Sequence, residues 1–498
     1  MKSPLHGLTL GARPEGSTWL GARWVVGNQD GRHVLFKDGG VVIEGSEIRF
    51  VGLDYAGPVA RRIELGQALI GPGFIDLDAL SDLDTTILGY DNQPAWRKGR
   101  VWPMSYVERG PYEMYTMAEL AFQKRYAFAQ LLLNGITTAA PIASLFYREW
   151  AETPEEFDAA AEAAAELGLR VYLGPAYRSG GMVVDADGAL RPIFDDARGM
   201  QGLRAALAFC DRHEGGRGDL IRTMLAPDRV ETCTAELLRE TGRASAERGL
   251  PVRLHCAQGQ MELDTMRRMH GRTAPQWLKE LEMLSPRLLA PHATYATADD
   301  LQLYRDHGVS IVHCPLVAAR QGGMLKSFRM CRDMGINIAM GTDTAPPDML
   351  MNMALGVSMC RMAEGRADAC RSGEFYDAAT LGGAHALGRD DIGRLAPGCR
   401  ADIAIFDLAC PHTGPAIDPI QTLMIAGHST LVRAVFVDGR LSMRDGRVAG
   451  LDLDAAQEKA QRQFDGLVAK YPDRTFGHPP VQEIFSSTYP IRQGGCSC

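Results

Sequence analysis

The sequence predicts an α/β protein: a (β/α)8 TIM barrel inserted into a small β-sandwich domain that both chain termini build. Three observations carry this. First, the middle of the chain repeats one unit: a polar helical stretch ends in glycine, and an apolar strand follows that closes on a polar or turn residue. It is plainest at Glu166-Leu167-Gly168, Glu247-Arg248-Gly249, Asp306-His307-Gly308 and Asp333-Met334-Gly335, each glycine standing where a helix end needs a left-handed residue. Second, eight such strands can be counted, at about 70–78, 136–142, 169–176, 220–227, 252–257, 287–292, 309–314 and 336–343. Apolar strands separated by helices imply a parallel sheet covered on both faces, and eight units suit a closed barrel. The alternative is an open doubly wound sheet; no GxGxxG or GxxxxGK[ST] follows a strand, which weakens a nucleotide-binding version of it. Third, both ends of the chain alternate apolar and polar residues, as half-buried strands do.

Taken in order, residues 1–68 form the first part of the small domain, with short alternating segments at 22–27 and 33–52. Residues 69–390 form the barrel. Its helix starts are marked by Thr153-Pro154-Glu155-Glu156 and by Thr297 with Asp300, side chains that satisfy the first amides of a helix. Residues 391–450 return to the small domain, with strands at 401–406 and 432–437 and turns at Asp438-Gly439 and Asp445-Gly446. Residues 451–498 read as one amphipathic helix, roughly 454–471, and an irregular tail with Pro472, Pro479, Pro480 and Pro490. That helix and tail find no partner in the expected fold, so a homo-oligomer is expected.

Composition narrows the function. Hydrophobic residues make up 46% of 498 and charged residues 23%, which suits a globular chain rather than a disordered one. A net charge of −8 argues against a nucleic-acid partner, which needs a basic face. No apolar run reaches the ~18–20 residues of a membrane helix, and the N-terminus lacks the apolar stretch of a signal peptide. A cytoplasmic location without membrane contact is the expectation. Of eleven cysteines, nine are scattered and read as reduced thiols; only Cys496 and Cys498 are clustered, in what reads as a flexible tail rather than a soft-metal or redox site.

In a barrel, function lies where the strands end. Strand 1 ends at Asp78-Ala79-Leu80, strand 4 at Asp228, strand 5 at His255 through Gln258, strand 6 at His292, strand 7 at His313 and strand 8 at Asp343. Neutral imidazoles with carboxylates are the ligand set of zinc or a similar ion acting on water. Each residue also has a structural reading. His255 suits a hydrogen-bonded core position, Asp343 suits a helix cap, and His313 before Cys314-Pro315 reads as barrel wall. What favours a site is their common position, because converging polar groups are costly unless used.

The chain resembles the amidohydrolase superfamily, close to its cyclic-amidine deaminase and triazine chlorohydrolase branch. The matching pieces are PGFID (72–76), NGITT (134–138), LAP (225–227) before TCTAELL (232–238), LHCAQ (254–258), the run 290–315, GTDT (341–344) and PGCRADIAIFD (397–407). The resemblance implies a hydrolytic barrel with a divalent metal, acting on a small-molecule substrate. It also exposes two departures. Where that family's strand 1 continues to His-x-His, this chain has Asp78 and Leu80; where these branches carry a glutamate three residues after the strand-5 histidine, it has Gln258. His255, His292 and Asp343 are retained.

Leucine cannot ligate a metal, whereas Asp78 offers an oxygen. The candidate ligand set is therefore Asp78, His255, His292 and Asp343 for one divalent ion, zinc first, with manganese or iron as the harder alternatives. Asp343 and His292 are the candidate catalytic groups. Gln258 cannot carry a proton, which favours amide, urea, carbamate or halide substrates over aromatic amidines. Asp228 is an alternative second carboxylate. Gln258, Asp228, His313, Arg178, Trp96 and Trp102 are the candidate substrate contacts, the two tryptophans lying in a stretch (80–111) that either covers the pocket or packs on the small domain. Two functions follow: a C–N hydrolase with a reworked ligand set, or a degenerate barrel that binds a ligand or serves as an accessory subunit. A non-hydrolytic isomerisation or elimination keeps the same barrel and metal.

Overall fold

The structure, a computed structural model, describes residues 4–83, 101–142, 145, 147–325, 328–344 and 346–492. The eight barrel strands are Phe74–Ala79, Ile136–Pro141, Arg170–Leu173, Ile221–Thr223, Val252–Arg253, Leu288–Pro291, Ser310–His313 and Ile338–Met340, numbered 1 to 8 below. They pair in parallel, 4-3-2-1-8-7-6-5. The ring closes between strands 4 and 5, where Leu225 and Val252 form a bridge and Arg253 N donates to Leu225 O at 3.0 Å. The expected helix signals are in place: Thr153 and Thr297 cap their helices, and Gly168, Gly249 and Gly308 end theirs in the left-handed conformation.

The sequence reads residues 70–78 as one strand, and the structure makes it two. Ala68–Pro72 lies in the terminal sheet and Phe74–Ala79 in the barrel, with Gly73 between them. A Cβ at Gly73 would stand 2.0 Å from the Thr137 side chain, so only glycine lets the two meet there. The terminal sheet is mixed and nine-stranded. Its two halves join where Ala68–Pro72 runs antiparallel to Ile403–Asp407. Leu20, Val25, Ile43, Ile70, Ile403 and Phe436 pack as a core of their own. The sheet is tied to the barrel by the buried Arg170, whose guanidinium grips Asp402 through two hydrogen bonds of 2.9 and 3.2 Å.

A third assembly lies over the barrel mouth. Trp102–Pro103 pairs with Gly180–Val184, which pairs with Leu190–Phe194. The C-terminal helix, Leu453–Lys470, and the turn Tyr471–Arg474 pack on it, with Leu467, Tyr471 and Ile484 joining Trp102, Tyr106, Tyr115, Tyr147 and Val183 in one cluster. This corrects the expectation that the C-terminal helix lacks a partner within the chain. Among the described residues, no helix is long and apolar enough to cross a membrane.

Candidate metal centre and active site

Strand geometry decides which side chains meet. Side chains alternate along a strand, so Asp76 and Asp78 share one face of strand 1, and His255, two residues past Arg253, continues the alternation beyond the end of strand 5. Asp78, His255 and His292 bring one donor atom each to within 4.8 Å of one another. His255 Nε2 stands 3.6 Å from Asp78 Oδ1, and His292 Nε2 stands 3.8 Å from Asp78 Oδ2. All three residues are buried. Asp343 lies at the edge of this group, its Oδ2 3.5 Å from His292 Nε2.

The backbone is bent to make this possible. His292 (φ 73°) and Asp343 (φ 56°) are both left-handed, a conformation that costs a non-glycine residue on the order of 1 kcal/mol. Such strain at two strand ends belongs to a site whose side chains must be aimed. Asp343 is held by its own amide, which donates to Asp78 O at 2.6 Å. Gly341 clears the space beneath: a Cβ there would lie 2.6 Å from Asp78 Cβ and 2.9 Å from Cys314 Sγ.

Hydrogen bonds set the protonation of the group. His255 Nδ1 lies 3.0 Å from the Asp228 carbonyl oxygen. A carbonyl only accepts, so Nδ1 carries the proton and Nε2 faces Asp78 with its lone pair. Burial pushes the His255 imidazole well below its ordinary value, with the Arg229 charge adding to it. It is therefore neutral, the form that binds metal. Burial, then the Asp343 charge, pushes the Asp78 carboxyl well above the usual range, with Arg253 opposing at 3.9 Å. Asp78 Oδ1 is buried and, among the described residues, accepts no hydrogen bond. A buried carboxylate oxygen without a donor, facing an imidazole lone pair, fits a cation between them.

The other expected contacts are distributed around this group. Gln258 is buried, accepts from Arg229 Nη1, and lines a cavity with His292, Glu231 and Glu262. Asp228, Arg178 and Trp102 line an adjoining cavity. His313 packs its ring on Phe328 and Phe375, at 5.8 and 6.2 Å between centroids, and burial lowers it to about 3. Trp96, Cys496 and Cys498 lie outside the described residues. Leu80 is core, 1% exposed.

Sequence reasoning missed four groups. Arg253 was available to it, being an arginine inside an apolar strand two residues before His255. Asp76 accepts from Thr342 N and Oγ1 at 3.0 and 2.6 Å, locking strand 1 to the end of strand 8. Glu262 takes the amides of Ala257 and Gln258 at 2.6 and 2.7 Å and fixes the turn after strand 5; burial and Glu231 push it up to about 8. Arg474 reaches the mouth from the C-terminal segment. Arg474 meets the site only through tertiary packing, which no local pattern reports.

Residues 72–442 match the amidohydrolase family. A 5-methylthioadenosine/S-adenosylhomocysteine deaminase from Halobacterium salinarum is 29% identical over 442 residues, covering 87% of this chain and 95% of that protein. Among solved structures, an adenosine deaminase from Xanthomonas campestris with bound zinc superposes with a TM-score of 0.75 at 21% identity, over 90% of this chain and 98% of that one. A zinc complex of atrazine chlorohydrolase from Arthrobacter aurescens gives 0.74 at 22%, over 90% and 99%. With a match that runs through every strand of the barrel and on into the terminal sheet, the chain belongs to the amidohydrolase family.

Proposed function

We propose that this protein is a metal-dependent hydrolase that breaks a C–N or similar bond of a small molecule with water, and that Asp78, His255 and His292 hold one divalent ion, zinc in the first place. The observation that carries this reading is the meeting of three buried donors within 4.8 Å, one of them a carboxylate oxygen that accepts no hydrogen bond among the described residues. A divalent ion bound there acidifies water and polarises the group under attack. The remaining work falls to the chain. Asp343, beside His292, accepts the proton of the attacking water and returns it to the leaving group. Its Oδ2 lies 3.5 Å from His292 Nε2, which sets it beside the ion. Arg229 holds Gln258 in place to donate its amide N–H to a substrate oxygen or nitrogen.

The names of the relatives direct the first trials toward purine nucleosides and triazines. Gln258 directs them also to amides, ureas and carbamates, whose leaving groups ask less of a proton carrier. The test is metal content by plasma mass spectrometry in wild type and His255→Ala, purified without chelators. The expected result is close to one ion per chain in wild type, lost in the variant. A wild type that takes up no zinc, manganese or iron overturns the proposal. The second reading, a barrel that binds a ligand without turning it over, then stands, favoured by Leu80 and Gln258 at two positions where the family's chemistry needs other residues.

A further inference from the structure

Two further cavities share no lining residue with those at the barrel mouth. One, of about 420 Å³, is walled by the helix Met349–Glu364, which follows strand 8, and by the short helices Phe328–Asp333 and Ser372–Asp377. Five arginines line it, Arg329, Arg332, Arg361, Arg366 and Arg371, against two acids, Asp368 and Glu374. On a chain of net charge −8, such a concentration of positive charge needs a reason.

Three of the five have counter-ions. Arg332 pairs with Glu374, Arg329 with Asp333 at 3.3 Å, and Arg366 with Asp368 at 2.9 Å. Arg361 and Arg371 pair with no carboxylate among the described residues. Arg361 Nη2 donates to Cys370 O at 3.3 Å, while its Nε, shut off from solvent, makes no hydrogen bond among the described residues. A cation with an enclosed, idle donor is costly unless an anion joins it, and neighbouring cations raise that cost. These same two arginines also line the second cavity, of about 620 Å³, which reaches the terminal sheet. Its wall includes Val34, Leu35, Tyr376 and Ile420, and Leu35 is left 42% exposed there. Two acids border it. Asp418 is taken up by the amides of Ile420 and Gln421, and Asp377, which burial pushes up to about 6, is ionised at pH 7.

We infer that this pair of cavities is a binding site for a small organic phosphate: Arg361 and Arg371 take the phosphate, and the body of the ligand lies against Leu35, Tyr376 and Ile420. A phosphate monoester carries close to two negative charges at pH 7, which matches two guanidinia without counter-ions; a sulfate ester or a carboxylate brings only one. Each guanidinium presents a planar fork of N–H donors to a pair of phosphate oxygens. Because the two arginines border both cavities, a molecule held by its phosphate extends from one into the other. Asp377 then accepts from an N–H or O–H group on the ligand's body. The site needs no metal and does not depend on the proposed hydrolase.

The experiment is isothermal titration calorimetry of phenyl phosphate, phenyl sulfate and inorganic phosphate into the metal-loaded protein, in a phosphate-free buffer. Phenyl phosphate is expected to bind about tenfold tighter than either of the others. Its affinity falls about tenfold in Arg361→Met and in Arg371→Met, and stays at the wild-type value in Arg366→Met, which removes an arginine that already has its acid. Arg371 is exposed, so its variant tests the site without threatening the fold. No binding of phenyl phosphate at millimolar concentration, or an affinity that survives Arg371→Met, overturns the site. An equal loss in Arg366→Met shows a diffuse effect of positive charge and overturns it too. Phenyl sulfate or inorganic phosphate binding as tightly overturns the assignment to an organic phosphate. His255→Ala separates this site from the metal centre. Unchanged affinity there is the expected result, and a loss places the phosphate on the ion, which overturns the site and leaves the hydrolase standing.

Discussion

Gln258 is buried three residues past His255, its Oε1 held by Arg229 Nη1. A carboxylate placed there meets the same guanidinium and is kept ionised by it, ready to move a proton. Gln258→Glu is therefore expected to speed ammonia release from an amidine substrate by about 10²-fold, the usual worth of a general acid–base group. Steady-state kinetics of both proteins check it, and an unchanged rate means the proton travels by Asp343 alone. Gly341 is the second sensitive residue. Gly341→Ala drives a methyl into Asp78 Cβ and Cys314 Sγ, both under 3 Å away, for a cost of about 1–3 kcal/mol. A lower melting temperature together with fewer metal ions per chain is the expected pair of results. A stability loss without metal loss would show that Asp78 does not hold the ion. Asp78 itself was legible in the sequence, because its place on the strand and its carboxylate suffice to nominate it. The left-handed backbone that aims His292 and Asp343 was not, since neither residue type announces a positive φ.

At the scale of elements, the strand Arg32–Glu44 docks on the barrel through His33, whose Nε2 lies 3.0 Å from Thr380 Oγ1 and whose ring meets Tyr376 edge-on. Burial lowers the imidazole to about 4. In the unfolded chain it titrates near 6.5, so between those values the unfolded chain binds the proton first. The contribution of neutral His33 is whole above about pH 6.5 and declines as pH falls toward 4, by up to roughly 3 kcal/mol. Urea midpoints taken across that range should fall in wild type and fall less steeply in His33→Gln; identical slopes would remove His33 from the account. The barrel strands were readable because each is a short apolar run behind a glycine that ends a helix, and both signals are local. The three-stranded sheet over the mouth was not readable. Trp102–Pro103 contributes two residues to it, too few for any period to show, and its pairing with Val183 and Val184 joins segments about 80 residues apart.

At the scale of the whole molecule, the barrel and the terminal sheet are held together by the buried pair of Arg170 and Asp402. Removing one partner of such a pair leaves the other charged and dry, at a cost of about 3–5 kcal/mol. Arg170→Met should lower the unfolding free energy by that amount and split one thermal transition into two, as calorimetry would record; a single unshifted transition would mean the sheet is held by its other contacts with the barrel. That the two chain ends share a sheet was legible from their matching alternation. That the C-terminal helix packs on the aromatic cluster over the mouth was not, because its apolar face specifies burial without naming a partner. The shared sheet also sets a timetable for synthesis. The edge of Ala68–Pro72 leaves the ribosome about 330 residues before Ile403–Asp407, the strand that covers it. At about 5–20 residues per second, that edge stands open for tens of seconds, a template for any other nascent strand nearby. The cell must therefore shield this chain while it is being made, and yield should depend more on the pace of translation and the supply of chaperones than on the stability of the finished fold.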